Sequence, residues 1–177
     1  PTRAAPTLTR GSAHVSASPH RLAGAEATLI GTQIAGRTHA DPDPWSGVFI
    51  NNLVLRFKPS SRARLADHVA SAKPVVEGAL VHQAMPFNAL VERLNPVRDP
   101  SRLPLLSVNF NLQHVFMESR AYGGFELASS PSHAAGTIYD LDLAVMGRPT
   151  GWQLNLEYAT ALFEQATAQA ILTLVAD

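Results

Sequence analysis

Cysteine is absent from the 177 residues, which excludes a disulfide framework and thiolate chemistry. Charge of one sign is absent too. Fourteen basic residues balance fourteen acidic ones, so no basic surface calls for nucleic acid. No apolar run approaches the roughly 20 residues of a membrane helix, and no Asn-x-Ser/Thr acceptor occurs. The start, "PTRAAPTLTRGS", is polar and Pro-rich, unlike a secretory leader. No two of the seven histidines have the spacing that puts two metal ligands on one helix face. There is no Gly-x-Ser-x-Gly elbow and no glycine-rich phosphate loop. What remains is 46% hydrophobic, enough for one packed core. These features predict a soluble, cytoplasmic domain without metal, nucleic acid or membrane.

The periodicity predicts an α/β chain of five or six strands and two or three helices. Residues 1–11 read as a loop, and 12–18 as a short strand. Residues 27–36 form an apolar strand closed by glycine, and 37–46 a Pro/Asp loop. Along 47–57, Phe49, Asn51, Leu53, Leu55 and Phe57 share one strand face. The period then changes: Leu65, Val69, Ala72, Val76 and Leu80 follow helical spacing. A cap is expected at Ser60 or Ser61, and a kink at Pro74. Pro86 opens a second short helix with Phe87, Leu90, Val91 and Leu94 on one side. Strands follow at 105–113, 137–146 and 151–158, then a helix at 163–176. Between two of these strands lies a long Gly/Ser-rich excursion, residues 117–136. Loops of that length are usually functional.

Few residues announce chemistry. Asp140 and Asp142 share a predicted strand face, where paired carboxylates could do acid–base work; a solvated face or a loop hydrogen bond is the preferred reading. Asn109, Asn111 and Gln113 line one side of strand 105–113. They either wall a water-filled channel or face solvent.

Three stretches are more specific together. "SGVFINNLVLRF" (46–57), "HQAMPFNALVERL" (82–94) and "RDPSRLPLL" (98–106) resemble, in order, the three C-terminal signature motifs of nonribosomal peptide synthetase condensation domains. "LIGTQIAGR" (29–37) and "LEYATALF" (156–163) resemble flanking strands of that family. Ala84, Asn88, Asn52 and Leu103 depart from its usual Asp, Glu, Thr and Asn. The resemblance implies a chloramphenicol acetyltransferase-like lobe, an α+β two-layer sandwich with helices packed on one face of a mixed sheet. The family's catalytic His-His-x-x-x-Asp-Gly motif, which belongs to the N-terminal lobe, does not occur in this chain. Residues 1–177 are therefore identified as the C-terminal lobe, inactive by itself. The family's long helix between the 12–18 strand and "HRLAG" has no room, because His20 directly follows Pro19, so residues 1–24 are expected to be incomplete or spliced, with a segment missing near Ser18–Gly24.

The implied reaction joins a carrier-bound acyl or peptidyl thioester to the amine of a carrier-bound aminoacyl acceptor. Both ride on 4'-phosphopantetheine, and this lobe binds no cofactor. The implied partners are the N-terminal lobe and the donor and acceptor carrier proteins. Residues 117–136 resemble the latch that crosses to the partner lobe, with 37–46 as a second crossing. Asn51, Asn109, Asn111 and Gln113 become substrate-channel candidates. Gly47, Phe49, Arg56, His82, Gln83, Pro86, Phe87, Arg98, Asp99, Ser101, Arg102, Pro104 and Leu105 are motif residues with architectural roles. The alternatives are an epimerisation domain, a free-standing acyltransferase of the same superfamily, or a non-catalytic interaction lobe.

Overall fold

The computed structural model describes residues 5–23, 26–35, 49–60, 63–113, 120–127, 136–148 and 151–176. The expected loop 37–46, the motif residue Gly47 and most of 117–136 lie outside them.

Helix α1 spans Ala5–Ala23 and corrects the expected loop and strand at the start of the chain. Its buried residues, Leu8, Thr9, Ser12, Ala13, Val15 and Ser16, recur at helical spacing. Apart from Leu8 and Val15 they are small or hydroxylated, so the period hardly shows as large apolar side chains. The helix runs continuously through Pro19, so the family's long helix has its residues after all. The reason for supposing a missing segment near residues 18–24 falls with that.

The small residues let α1 lie close to its neighbours. A Cβ on Gly11 would collide with the Phe110 ring. On the next helix, α2 (Leu65–Val81), buried His68 sets its Nε2 2.9 Å from Ser16 Oγ and 3.1 Å from the Ala13 carbonyl. Its ring also meets Phe57 edge-on. α2 starts at Arg64, later than the expected cap at Ser60 or Ser61, and the Asp67 carboxylate accepts from the Arg64 N–H at 3.3 Å. Pro74 lies inside α2, where it has no N–H to give the preceding turn. Helix α3 (Phe87–Leu94) takes Pro86 as its N-cap and closes on left-handed Asn95.

Among the described residues there are also seven strands: β1 (Thr28–Ala35), β2 (Ile50–Phe57), β3 (Val108–Gln113), β4 (Arg120–Tyr122), β5 (Phe125–Leu127), β6 (Leu141–Arg148) and β7 (Gly151–Tyr158). Five form one sheet in the order β2-β1-β3-β6-β7. The central pairs β1–β3 and β3–β6 are parallel; the outer pairs are antiparallel. Ile30, Leu55, Phe57, Phe110 and Leu143 send one face of this sheet into the core against α1 and α2. Helix α4 (Gln165–Ala176) packs on the same side, through Leu172 and Val175. This is the expected mixed sheet with helices on one face. β4 and β5 make a separate hairpin inside the 117–136 excursion, turning at Gly123 and Gly124, both at positive φ. Among the described residues no helix is long and apolar enough to cross a membrane.

Candidate functional site

The three sequence motifs meet the fold in different ways. Asn51 lies on the helix-side face of β2. Its Nδ2 donates to the carbonyls of Gln83, at 2.9 Å, and Met85, at 2.8 Å. Its Oδ1 accepts the Phe87 N–H at 3.1 Å. One side chain thus holds the α2–α3 turn, which contains His82, Gln83 and Pro86. The side chain expected to line the channel is thus engaged with this turn, on the helix side of β2. His82 is exposed, and its main chain closes α2 by donating to the Gly78 carbonyl. Phe49 and Arg56 are exposed on β2 and its approach.

The third motif is a charge-tied loop. The Asp99 carboxylate accepts from the Ser101 N–H at 2.9 Å and from the Ser101 hydroxyl at 2.6 Å. Those bonds hold its carboxyl below the usual range, and Arg102 adds a smaller pull. Arg102 reaches from Asp99, at 3.4 Å, to Asp140, at 3.5 Å. The loop is thereby joined to the residues that lead into β6. Leu105 adopts a left-handed φ of 66°, uncommon for a branched side chain, and lets the chain turn into β3. Arg98 is exposed and Pro104 half-buried.

The other face of the sheet is polar. Strand register lays Gly31, Asn109, Asp142 and Glu157 in one row across four strands. Asn109 is buried and donates its Nδ2 to Asp142 at 2.8 Å. Its Oδ1 has no partner, nor has that of Asn52 on β2. Asn111 donates to Gln33 at 3.4 Å, and Gln33 donates to the Tyr139 hydroxyl at 3.3 Å. Gln113, at the end of β3, is exposed. Burial pushes the Asp142 carboxyl above its ordinary range; the Asn109 bond opposes this and the facing Glu157 adds to it. Tyr139 is likewise raised, chiefly by burial. The channel candidates on β3 therefore share a face away from the helices. The Asp140/Asp142 pair divides: Asp140 goes to Arg102, Asp142 to Asn109.

Sequence periodicity missed Gln33, Tyr139 and Glu157. β1 read as a uniformly apolar strand, which hid Gln33. Tyr139 falls within the strand expected at 137–146; it instead lies in the bend before β6, and is buried. A cavity of about 350 Å³ lies on the helix side, walled by Val15, Leu143, Leu156, Phe163 and Leu172. A second, of about 400 Å³, lies under the motif loop beside Thr28, Val97 and Leu103. No metal-holding group of His, Asp or Glu occurs among the described residues.

The sequence profile of the family described as "Condensation domain" matches residues 13–177. The chain belongs to that family. Tyrocidine synthase 3 of Brevibacillus parabrevis is 36% identical over 151 residues, and surfactin synthase subunit 2 of Bacillus subtilis (strain 168) 34% over 139. Those alignments cover 84% and 78% of this chain but only 2% and 4% of the two synthases, so the chain spans a small part of each. Among solved structures, a four-domain nonribosomal peptide synthetase bound to AMP and glycine superposes with a TM-score of 0.80. That match is 21% identical and covers 98% of this chain and 14% of the other. The X-domain from teicoplanin biosynthesis gives 0.78 at 23% identity, covering 94% and 39%. At such identities these two neighbours establish the fold: this condensation-domain chain has the mixed-sheet architecture of known family members.

Proposed function

We propose that residues 1–177 are the C-terminal lobe of an amide-forming condensation domain in a peptide synthetase. The observation that carries this is the sheet's polar face. It bears Gln33, Asn109, Asn111, Asp142 and Glu157, opposite the helices, in a chain that matches the condensation profile. A lobe with one face sealed by helices and the other lined with amides and carboxylates is built to wall a wet channel. The complementary lobe supplies the His-His-x-x-x-Asp-Gly motif that this chain lacks.

In the reaction the acceptor's amino nitrogen attacks the donor's thioester carbonyl. A C–N bond forms, the C–S bond breaks, and the proton lost by nitrogen ends on the departing thiol. Both reactants are tethered through 4'-phosphopantetheine to carrier proteins, so much of the acceleration is positional. The motif histidine of the other lobe orients or deprotonates the amine. Residues 117–136, with their β4–β5 hairpin, act as the latch that crosses to that lobe. The site of action is the cytoplasm.

The test is an assay with loaded donor and acceptor carrier proteins. This chain alone yields no amide; joined to a lobe bearing the His-His motif, it does. Amide from the chain alone would contradict the division of labour. No amide from the joined lobes would favour a non-catalytic docking role.

A further inference from the structure

The helix side of the sheet is not filled under α4. Ala168, Ile171, Leu172 and Val175 share the inward face of that helix, three and four residues apart. Its first half sends only the Ala168 methyl group inward. Between the helix, Leu143 of β6 and Leu156 of β7 lies the cavity of about 350 Å³. Ile171, Leu172 and Val175 front it and stay half-buried although they point inward. Native interiors pack at crystal density, with few voids larger than a water. A dry apolar cavity of about 150 Å³ accepts benzene. This one is more than twice that size and falls within the roughly 300–1,000 Å³ of ligand pockets. Phe163 walls it just before the first turn of α4 and Val175 in the last, so it runs lengthwise under the helix. That shape fits a chain better than a ring.

The Phe163 end of the cavity is polar. The Phe163 N–H donates to the Ala159 carbonyl, and the Ala159 N–H to the Asp140 carbonyl, both at 3.0 Å. Arg102, Ser107 and Asp140 line the cavity there. Arg102 and Ser107 also line the cavity of about 400 Å³ under the motif loop, where Val97 is exposed. The two cavities meet at Arg102, which gives a route in from the surface. Arg102 uses Nε on Asp99 and Nη1 on Asp140; its Nη2 donors have no acceptor among the described residues. The three ion-paired groups together carry one negative charge. A carboxylate brought to this end would meet that excess, whereas an uncharged carbonyl oxygen can accept from Nη2 without it.

We infer that the cavity under α4 is a binding pocket for a medium-length acyl chain with an uncharged carbonyl, as in an acyl amide, ester or thioester. The chain lies along α4 against Leu143, Leu156 and Leu172, and the carbonyl oxygen sits at Arg102. Burial of the chain drives binding, and the polar end sets which head group is accepted. The pocket is on the opposite side of the sheet from the polar face, so it does not depend on the channel reading. The acyl compound can be free or borne by a carrier protein. The two share one recognition chemistry.

The experiment uses the 177-residue chain, methyl-labelled at isoleucine and leucine, and three probes. Octanamide has the chain and a neutral carbonyl, octanoate the chain and a charge, and acetamide only the carbonyl. Octanamide moves the NMR methyl signals of Ile171 and Leu143 and leaves that of Ile50, on the edge strand β2, in place. It also raises the melting temperature, as any ligand of the native state does. Acetamide does neither, and octanoate binds about tenfold or more weakly. Leu172→Phe and Leu172→Trp put side-chain atoms into the cavity and weaken octanamide, the larger residue more. Should the Trp variant not fold, the Phe variant and the parent's ligand-dependent melting still decide. An octanoyl-loaded carrier protein that displaces octanamide marks a carrier-borne chain; one that does not marks a free compound.

Equal shifts from acetamide overturn the assignment. So does an unmoved Ile171 signal, octanoate binding as tightly as octanamide, or unchanged octanamide affinity in a folded Leu172 variant. The joined-lobe assay keeps the two readings apart. Octanamide binding without amide formation leaves the pocket standing and sinks the condensation reading. Amide formation without octanamide binding sinks the pocket alone.

Discussion

At Asn51 one side chain closes three main-chain hydrogen bonds across the turn between two helices. Asn51→Ala removes two donors and an acceptor at once, and leaves part-buried main-chain groups unpaired. A loss of about 2 kcal/mol follows, read as a lower urea midpoint with an unchanged slope. Its strand face was legible from alternation, and its importance from the motif; its role was not. Period-two reasoning says which side a residue points to, but not that a helix turn lies across that side. Asp142 carries a second prediction. Its folded-state pKa is raised, so the native chain holds that proton to higher pH than the unfolded chain does. The stabilising contribution is therefore present at low pH and is lost as pH rises through the folded pKa. Asp142→Asn cannot ionise. It should melt higher than the parent at neutral pH and converge with it below about pH 4, the ordinary Asp range. A constant difference across that span in scanning calorimetry would refute the assignment.

Among the elements, α1 departs furthest from its sequence signal. Its buried stripe is made of Leu8, Thr9, Ser12, Ala13, Val15 and Ser16, with Gly11 beside it and Pro19 in a later turn. Its serines, threonine, glycine and proline favour caps, turns and loops over helix interiors when isolated. Tertiary contact overrides propensity: the small side chains admit Phe110 closely, and His68 fastens the helix to α2. Gly11→Ala sets two effects against each other. Better helix propensity gains about 1 kcal/mol. Overpacking against a fully buried ring costs about 1–3 kcal/mol. The collision wins, because the new Cβ would fall well inside contact distance of a rigid, fully buried ring, and the variant should unfold at lower denaturant. The same makeup bears on local opening. Amides of α1 should exchange with solvent at lower protection than those of β1 and β3, since the buried Ser12 Oγ has no partner and Pro19 interrupts the hydrogen-bond ladder. Equal protection across these elements would show that the contacts more than offset the sequence. The helices with large apolar stripes, α2 and α3, were legible because their periods do not depend on knowing the neighbour.

On the scale of the whole molecule, alternation and motifs made a two-layer fold legible but not its strand pairing. Strand order and the parallel centre depend on contacts between distant segments, such as Ile30 with Val108, that no local window contains. The 117–136 excursion serves as the crossover between parallel β3 and β6, so it cannot simply be removed. Replacing it with a Gly/Ser linker of equal length should leave the five-stranded sheet and its melting intact, because β4 and β5 form a sheet of their own. Association with the complementary lobe should weaken, as sedimentation or a binding titration would detect; an unchanged association constant would remove the latch role. The order of the strands also governs how the sheet comes into being. β3 sits at the middle of the sheet but is made in the middle of the chain. Its two neighbours come one long before it and one after the excursion. While the chain grows from its N-terminus, β1 and β2 can zip together early as an antiparallel pair, but β3 stays an open edge until β6 emerges. Such high contact order makes for slow folding and a prolonged half-built state. A ribosome stalled between the two halves would expose a Val-Asn-Phe-Asn-Leu edge, an open template for mispairing until β6 is made.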